Sequence, residues 1–429
     1  MPDIYHELYK LYSEGDVDSL RQYRDLVDLF PPVDSTIALE RWQEFRSELG
    51  DRQSEIREDF EFGDAFAEIA AISTMEQAFT ALDLYNKYEH MVNVLVVDVD
   101  ETLRSAGGTD NEIPRETLHQ ITELHESGMP IVVCTGQTLE NVKGFTIQGL
   151  GNRLVHSGRF SIVYEGGSGV FTPGKGTRTK QLLYEDLDAD VVDRFQTVRS
   201  RLIPEMPEDL RSRVHLQGNE FNVTVKTNDE TGSERAEETI RRALPHLLEE
   251  IGGTLSGGGS FEDVASYYAT TDPDIDAVLD GDVARTEMKA ITNSESEFAE
   301  MDDGNEIPPS TRNALEQIDV AYYEADAVEM VSAKLHKVAG VEAAFDILDI
   351  DEPFALVLGD SKSDLRVMEW VEKEAIGIAA APDHASEQVL DHVRRRDDLV
   401  YDRGSADQIL RTIRAMQEIG PIVSDDNMV

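Results

Sequence analysis

The stretch VNVLVVDVD, Val92 to Asp100, limits the fold more than any other part of the chain. Its centre, Val94 to Val97, is an apolar run of strand length that ends in aspartate, and such a run is buried on both faces. PRETLHQITELHESG follows, a helix with Pro114 at its start and Gly128 at its end. PIVVCT, Pro130 to Thr135, is the next apolar strand, and further short strands fit at RLVHS and SIVYE. Strand, helix and strand in alternation build a parallel sheet with helices on both faces. The expected fold class is therefore α/β.

The alternation does not fill the chain. After YEGGSG it is lost for about 150 residues, which include an alternating strand, EFNVTVKT, a helix, ERAEETIRRALPHLLEEI, and a glycine-rich break, GGTLSGGG. It returns near HKVAGVEAAFDIL, followed by the strand FALVLGD and the helix SDLRVMEWVE. The pattern predicts a core in two parts, 91–166 and 326–420, an α/β domain inserted at 167–325, and a tail at 421–429. Residues 1–90 read as an all-helical extension. Within it, STMEQAFTALDLYNKY places Glu76 three residues after Ser73, a capping box ahead of helically spaced Phe79, Leu82 and Tyr85. No group in the extension converges on chemistry, so it is expected to be dispensable for turnover.

Chemistry is expected where the strands end. Side chains alternate along a strand, so Asp98 and Asp100 leave on one face while Val99 points the other way. Two carboxylates so close need a cation or a shared proton; the bland alternative is a pair that only starts a turn. Ligands in open parallel sheets bind beyond the carboxyl ends of the strands. Three predicted strands end in polar groups there: Asp98 and Asp100, then Thr135, then Asp360 and Asp364 in GDSKSD. Lys337 opens the helix before the last of these strands. Oxygen donors suit Mg²⁺, and a lysine with a hydroxyl suits a phosphoryl group. Phosphoryl transfer to one aspartate, with the other handling a proton, is the chemistry suggested.

Charge narrows the partners. The chain of 429 residues carries 86 Asp and Glu against 39 Lys and Arg, a formal net charge of −47. Nucleic-acid binding leaves a basic footprint, and none is present. The acidity is spread over all regions, resembling proteins of salt-loving archaea, where molar salt shortens the Debye length to roughly 3 Å. No run of 18 apolar residues and no signal-like N-terminus is present, so a cytoplasmic protein without a membrane partner is expected. The single cysteine, Cys134, excludes an intramolecular disulfide and reads as a small buried hydrophobe.

In DVDET, IVVCT, KLHKVAG and GDSKSD, taken in order, the chain resembles the haloacid dehalogenase superfamily of Mg²⁺-dependent phosphotransferases. The resemblance implies a Rossmann-like core, and the position of the insertion resembles the subclass with an α/β cap. That subclass includes phosphatases for sucrose, trehalose and mannosylglycerate precursors, archaeal phosphoglycolate phosphatases and phosphomannomutases. It implies Asp98 as nucleophile and metal ligand, and Asp100 as general acid and base with its carbonyl on the metal. Thr102, Thr135, Gly136 and Lys337 would hold the phosphoryl group, and Asp360 and Asp364 would complete the Mg²⁺ site. The implied function is hydrolysis of a small phosphorylated metabolite, either a sugar phosphate or a phosphoglycolate-like ester. A phosphomutase and a non-catalytic partner-binding protein are the alternatives, and the oligomeric state is not readable.

The chain departs from that pattern at Gln137, where the subclass has arginine, at Ser363, which stands for asparagine, and in PDHA after the last core strand. Lys334 competes with Lys337, and spacing favours Lys337. GVFTPGKGT imitates an ATPase phosphate loop, but Gly176 follows the lysine and Pro173 removes an N–H, so a turn is expected. His336, His384 and His392 lack zinc-ligand spacing. Arg178, Asn219 and Lys226 are expected as solvated surface.

Overall fold

The computed structural model of the chain describes residues 4–30, 35–104, 112–218, 221–255, 260–292 and 307–426. The chain forms two compact units, Met1–Gln181 with Gly340–Val429, and Leu182–Ala339. Asn219 and residues 256–259 of the glycine-rich break lie outside the described residues.

Eight strands form the sheet of the first unit: β1 (Val94–Val97), β2 (Ile131–Cys134), β3 (Phe160–Tyr164), β4 (Gly169–Phe171), β5 (Lys180–Leu182), and, after the second unit, β10 (Ala355–Leu358), β11 (Gly377–Pro382) and β12 (Leu399–Tyr401). Their order is β12-β11-β10-β1-β2-β3-β4-β5. From β12 to β3 every neighbouring pair is parallel, with Val94 opposite Ala355 and Leu95 opposite Ile131. β1, β2 and β10 are buried at all four positions, as continuous apolar strands between helical layers must be. The α/β class and parallel core are as expected.

RLVHS is not a strand. The helix Leu139–Val155 bends at Gly151 (φ 79°) and continues through Leu154 and Val155, which it buries. The short apolar pair serves a helix face here.

The described residues before β1 form five helices, α1 (Ile4–Glu14), α2 (Val17–Leu29), α3 (Thr36–Asp59), α4 (Gly63–Ile72) and α5 (Met75–Tyr88). They belong to the first unit and share its core: Leu8, Phe66, Ile69 and Leu82 join Leu95, Val97, Leu356 and Leu358 in one hydrophobic cluster. Ile413, Met416 and Ile419 of the C-terminal helix Ala406–Asp426 lie in the same cluster. That helix also runs through the expected tail, as far as Asp426. Arg411 ties the layers together, donating to the Ile72 carbonyl (3.1 Å) and to Asp25 (2.8 Å). The capping box at the start of α5 is one residue later than expected. Thr74 and Gln77 exchange the two hydrogen bonds, at 3.1 and 2.9 Å, while the Ser73 hydroxyl donates to the Ile69 carbonyl at the end of α4.

The second unit is 182–339 rather than 167–325. β4 pairs antiparallel with β3, and β5 follows it in the core sheet, so the chain leaves that sheet only after β5. At the other end, the strand over 327–332 belongs to the second sheet. This antiparallel sheet has the order β6-β7-β9-β8, with β6 (Val214–Gln217), β7 (Asn222–Thr227), β8 (Ile318–Tyr323) and β9 (Ala327–Ser332). Val223, Val225, Val328 and Met330 are buried in one cluster with Leu244, Leu247 and Ile251 of the helix Glu234–Gly253. Alternate positions, such as Thr224 and Glu329, are only partly buried, the period-two pattern of a sheet covered on one side. Among the described residues, no helix is long and apolar enough to cross a membrane.

Candidate active site at the carboxyl edge of the core sheet

β1 and β10 are neighbours, yet the chain leaves β1 towards β2 and leaves β10 towards β11, on opposite sides. This reversal opens a crevice beyond their carboxyl ends. Asp98 follows β1 and its N–H still donates to the Leu358 carbonyl (2.9 Å), so the strand geometry extends to the carboxylate-bearing residue. Asp360 lies two residues beyond β10. Ligand oxygens of Asp98, Asp360 and Asp364 all lie within 4.8 Å of one another.

The positions of these carboxylates are built in. Ser361 caps the helix Lys362–Lys373, and its N–H (3.2 Å) and hydroxyl (2.6 Å) both donate to Asp364 Oδ2. Gly359 admits that side chain: a Cβ there would meet Asp364 Cβ at 2.2 Å. Thr102, which is buried, donates its hydroxyl to Asp360 Oδ1 (3.2 Å), and Tyr401 donates to the Thr102 carbonyl (3.2 Å). Burial holds the Tyr401 hydroxyl well above its ordinary range, and the charges of Asp360, Asp98 and Asp364 push it further. It therefore stays a neutral donor beside three carboxylates.

Asp98 and Asp364 are buried, and Asp360 is half-buried. Three carboxylates this close repel unless a cation joins them, and an all-oxygen set of this kind fits Mg²⁺.

Asp100 is not one of the three grouped carboxylates and has its own partners. Arg104 donates to its Oδ1 through Nε (3.0 Å) and Nη2 (2.7 Å), and the Gln137 amide donates to its Oδ2 (2.5 Å). The turn after β1 makes this possible: Glu101 takes φ 56°, and the Leu103 and Arg104 N–H groups both return to the Val99 carbonyl at 3.1 Å. Thr135 follows β2, is buried, and accepts the Gln137 N–H at its hydroxyl (3.1 Å), so its own proton can be given to another group. Gly136 is exposed with open space around its Cα. Cys134, just before them, is buried in β2.

Lys337 is buried and is the first residue of the helix Lys337–Leu348. Gly340, one turn on, lies so close to β3 that a Cβ would meet Val163 Cγ1 at 2.2 Å. Lys334 instead pairs with Asp188 (3.0 Å), both of them exposed.

Sequence reasoning did not single out Arg104, Tyr401 or Glu101. The four-residue spacing of Asp100 and Arg104 is the one signal that could have revealed the first. The decoy motif closes as a turn: Lys175 and Arg178 both pair with Asp349, at 2.9 and 3.0 Å. Lys226 pairs with Asp326 (3.1 Å). The histidines are dispersed: the His336 ring accepts the Ala339 N–H (3.1 Å), His384 lies 3.3 Å from Glu101, and His392 lies 3.6 Å from Glu372.

No family model matches the chain, and no curated protein matches it. Among solved structures it is similar to a trehalose-6-phosphate phosphatase from Aspergillus fumigatus, at 12% identity and TM-score 0.41, over 79% of this chain and 97% of that one. A haloacid dehalogenase-like hydrolase from B. subtilis matches at 15% identity and TM-score 0.41, over 75% and 99% of the two chains. One from Bacteroides thetaiotaomicron matches at 12% and 0.39, over 75% and 98%. The chain is thus remotely similar to haloacid dehalogenase-like hydrolases, and what its site can do rests on its own strand-end residues.

Proposed function

We propose that this chain is a Mg²⁺-dependent phosphatase that hydrolyses a small phosphate monoester, a sugar phosphate or a phosphoglycolate-like ester, through a phosphoryl group carried on Asp98. The observation that supports this reading is the meeting of Asp98, Asp360 and Asp364 at the point where strand order reverses.

Asp98, Asp360 and Asp364, with the Asp100 carbonyl, would hold the metal, which when bound supplies positive charge against the carboxylates and phosphoryl oxygens. In the first step an Asp98 oxygen attacks phosphorus, the ester P–O bond breaks, and Asp100 gives its proton to the departing alkoxide. In the second, Asp100 takes a proton from water as the water oxygen attacks phosphorus. The bond to Asp98 then breaks and inorganic phosphate leaves. The Thr135 hydroxyl, the Gly136 N–H and Lys337 would hold the phosphoryl oxygens, while Thr102 braces Asp360. The dispersed negative charge supports work in a cytoplasm of high salt.

The test is phosphate release from a panel of phosphate esters with Mg²⁺ in molar KCl. Asp98→Asn should abolish release while leaving the circular dichroism spectrum unchanged, and retained turnover would overturn the assignment. Asp100→Asn should slow release by about 10²- to 10⁴-fold. An isomerised ester in place of free phosphate would point to a mutase.

A further inference from the structure

The carboxylate of Asp100 is held unequally on its two oxygens. Oδ1 receives two N–H groups from Arg104, at 3.0 and 2.7 Å, and Oδ2 receives one from Gln137, at 2.5 Å. A carboxylate oxygen offers two acceptor positions. Among the described residues Oδ1 is therefore filled, while Oδ2 keeps one position open. The two partners also differ in kind. Arg104 brings a charged, planar fork, whereas Gln137 brings a neutral amide. Both partners are anchored through their backbones. Gln137 donates its backbone N–H to Thr135 and accepts the Glu165 N–H at its carbonyl (2.9 Å), and the Arg104 N–H is tied to the Val99 carbonyl.

We infer that Arg104 and Gln137 are positioning residues that aim the Asp100 carboxylate, each holding one of its two oxygens. The inference rests on the phosphatase reading of this site. Arg104 fixes the plane of the carboxylate through Oδ1, and Gln137 keeps Oδ2 directed without closing its second position.

The leaving group separates this role from a structural one. Phenolate departs from phenyl phosphate with help from a proton, whereas p-nitrophenolate needs little. The ratio of kcat/KM for these two esters, measured with Mg²⁺ in molar KCl, therefore reads the delivery of a proton in the bond-breaking step. Gln137→Ala and the similarly sized Gln137→Met should each lower kcat/KM for phenyl phosphate about tenfold more than for p-nitrophenyl phosphate, with folding followed by circular dichroism. Arg104→Met should move the ratio in the same direction. An equal fall on both esters, or no change in either, overturns the inference and leaves the phosphatase reading standing. If the unaltered protein hydrolyses neither ester nor any member of the wider panel, the phosphatase reading falls and takes this inference with it.

Discussion

Replacing Gly359 with alanine tests how closely the acidic cluster depends on packing. The added Cβ would lie 2.2 Å from Asp364 Cβ and 2.5 Å from its Cγ, well inside contact distance. These atoms are the root of a short side chain, which cannot swing aside as the tip of a long one can. Asp364 is only 3% exposed, and two hydrogen bonds from Ser361 already fix its Oδ2. Accommodation must therefore move the backbone of the GDSKSD turn or tear the carboxylate from its cap. Overpacking of this kind costs roughly 1–3 kcal/mol, and loss of the cap adds about 1 kcal/mol. The expected destabilisation is about 2–4 kcal/mol. Any shift of Asp364 also disturbs the oxygen set, and Mg²⁺ tolerates little departure from octahedral geometry. Disturbing an orienting group around a metal costs typically 10- to 100-fold in affinity. The assay is urea unfolding at a series of Mg²⁺ concentrations, since a ligand bound only to the folded state stabilises by RT ln(1 + [L]/Kd). Gly359→Ala should lower stability without Mg²⁺ and move the Mg²⁺ dependence to at least tenfold higher concentration. A variant within 0.5 kcal/mol of the parent, with the same Mg²⁺ dependence, would refute both the packing argument and the part given to Asp364.

Arg411→Met should destabilise the first unit by about 2 kcal/mol in urea unfolding. It strands Asp25 and the Ile72 carbonyl, and the usual cost of breaking a buried pair is reduced here because Asp25 is partly exposed. His392 is buried beside Glu372, and burial lowers its pKa below the ordinary value despite the pull of Glu372. The unfolded chain then binds a proton that the folded one resists, so stability is lost as pH falls below about 6.5, by at most about 1.4 kcal/mol per pH unit from this group. His125 contributes with the same sign. His392→Leu should flatten the decline between pH 6.5 and 5, and an unchanged slope would exclude His392 as its source. KM for an anionic ester should fall as KCl rises from 0.1 M to 1 M, because the Debye length shrinks from about 10 Å to about 3 Å around a protein of charge −47. A KM that is flat or rises while the fold is constant would show that charges within the site, not the surface, govern substrate approach.

The parts legible in the sequence were those that short-range pattern controls. Val94–Val97, Ile131–Cys134 and Ala355–Leu358 are apolar at every position and form the central strands. The expected placing of Asp98, Asp360 and Asp364 beyond strand ends followed from the apolar runs that precede them, and the structure brings those three together. RLVHS reads as a strand but is the end of a helix, because Leu154 and Val155 are apolar neighbours that suit a strand or a buried helix end, and only the chain before them decides which. The limits of the inserted unit were missed for a related reason. Three-residue strands such as Gly169–Phe171 and Lys180–Leu182 carry too little pattern to declare their sheet, and pairing with Phe160–Tyr164 is a tertiary choice.

The helices of residues 1–90 show most clearly how chemistry and stability divide in one chain. Among the described residues, none of their groups belongs to the strand-end carboxylate cluster, so they look detachable, yet Phe66, Ile69 and Leu82 are fully or almost fully buried in the cluster that holds Leu95 and Val97. Leu95 and Val97 are the last inward residues of the strand that ends in Asp98. On β1, the residues packed against that helical layer alternate with Val94, Val96 and Asp98, so fixing one set by packing fixes the direction of the other. A carboxylate aimed to within fractions of an ångström needs a strand that cannot roll. The helical layer, tied to the C-terminal helix through Arg411 at Ile72 and Asp25, thus supports the position of Asp98.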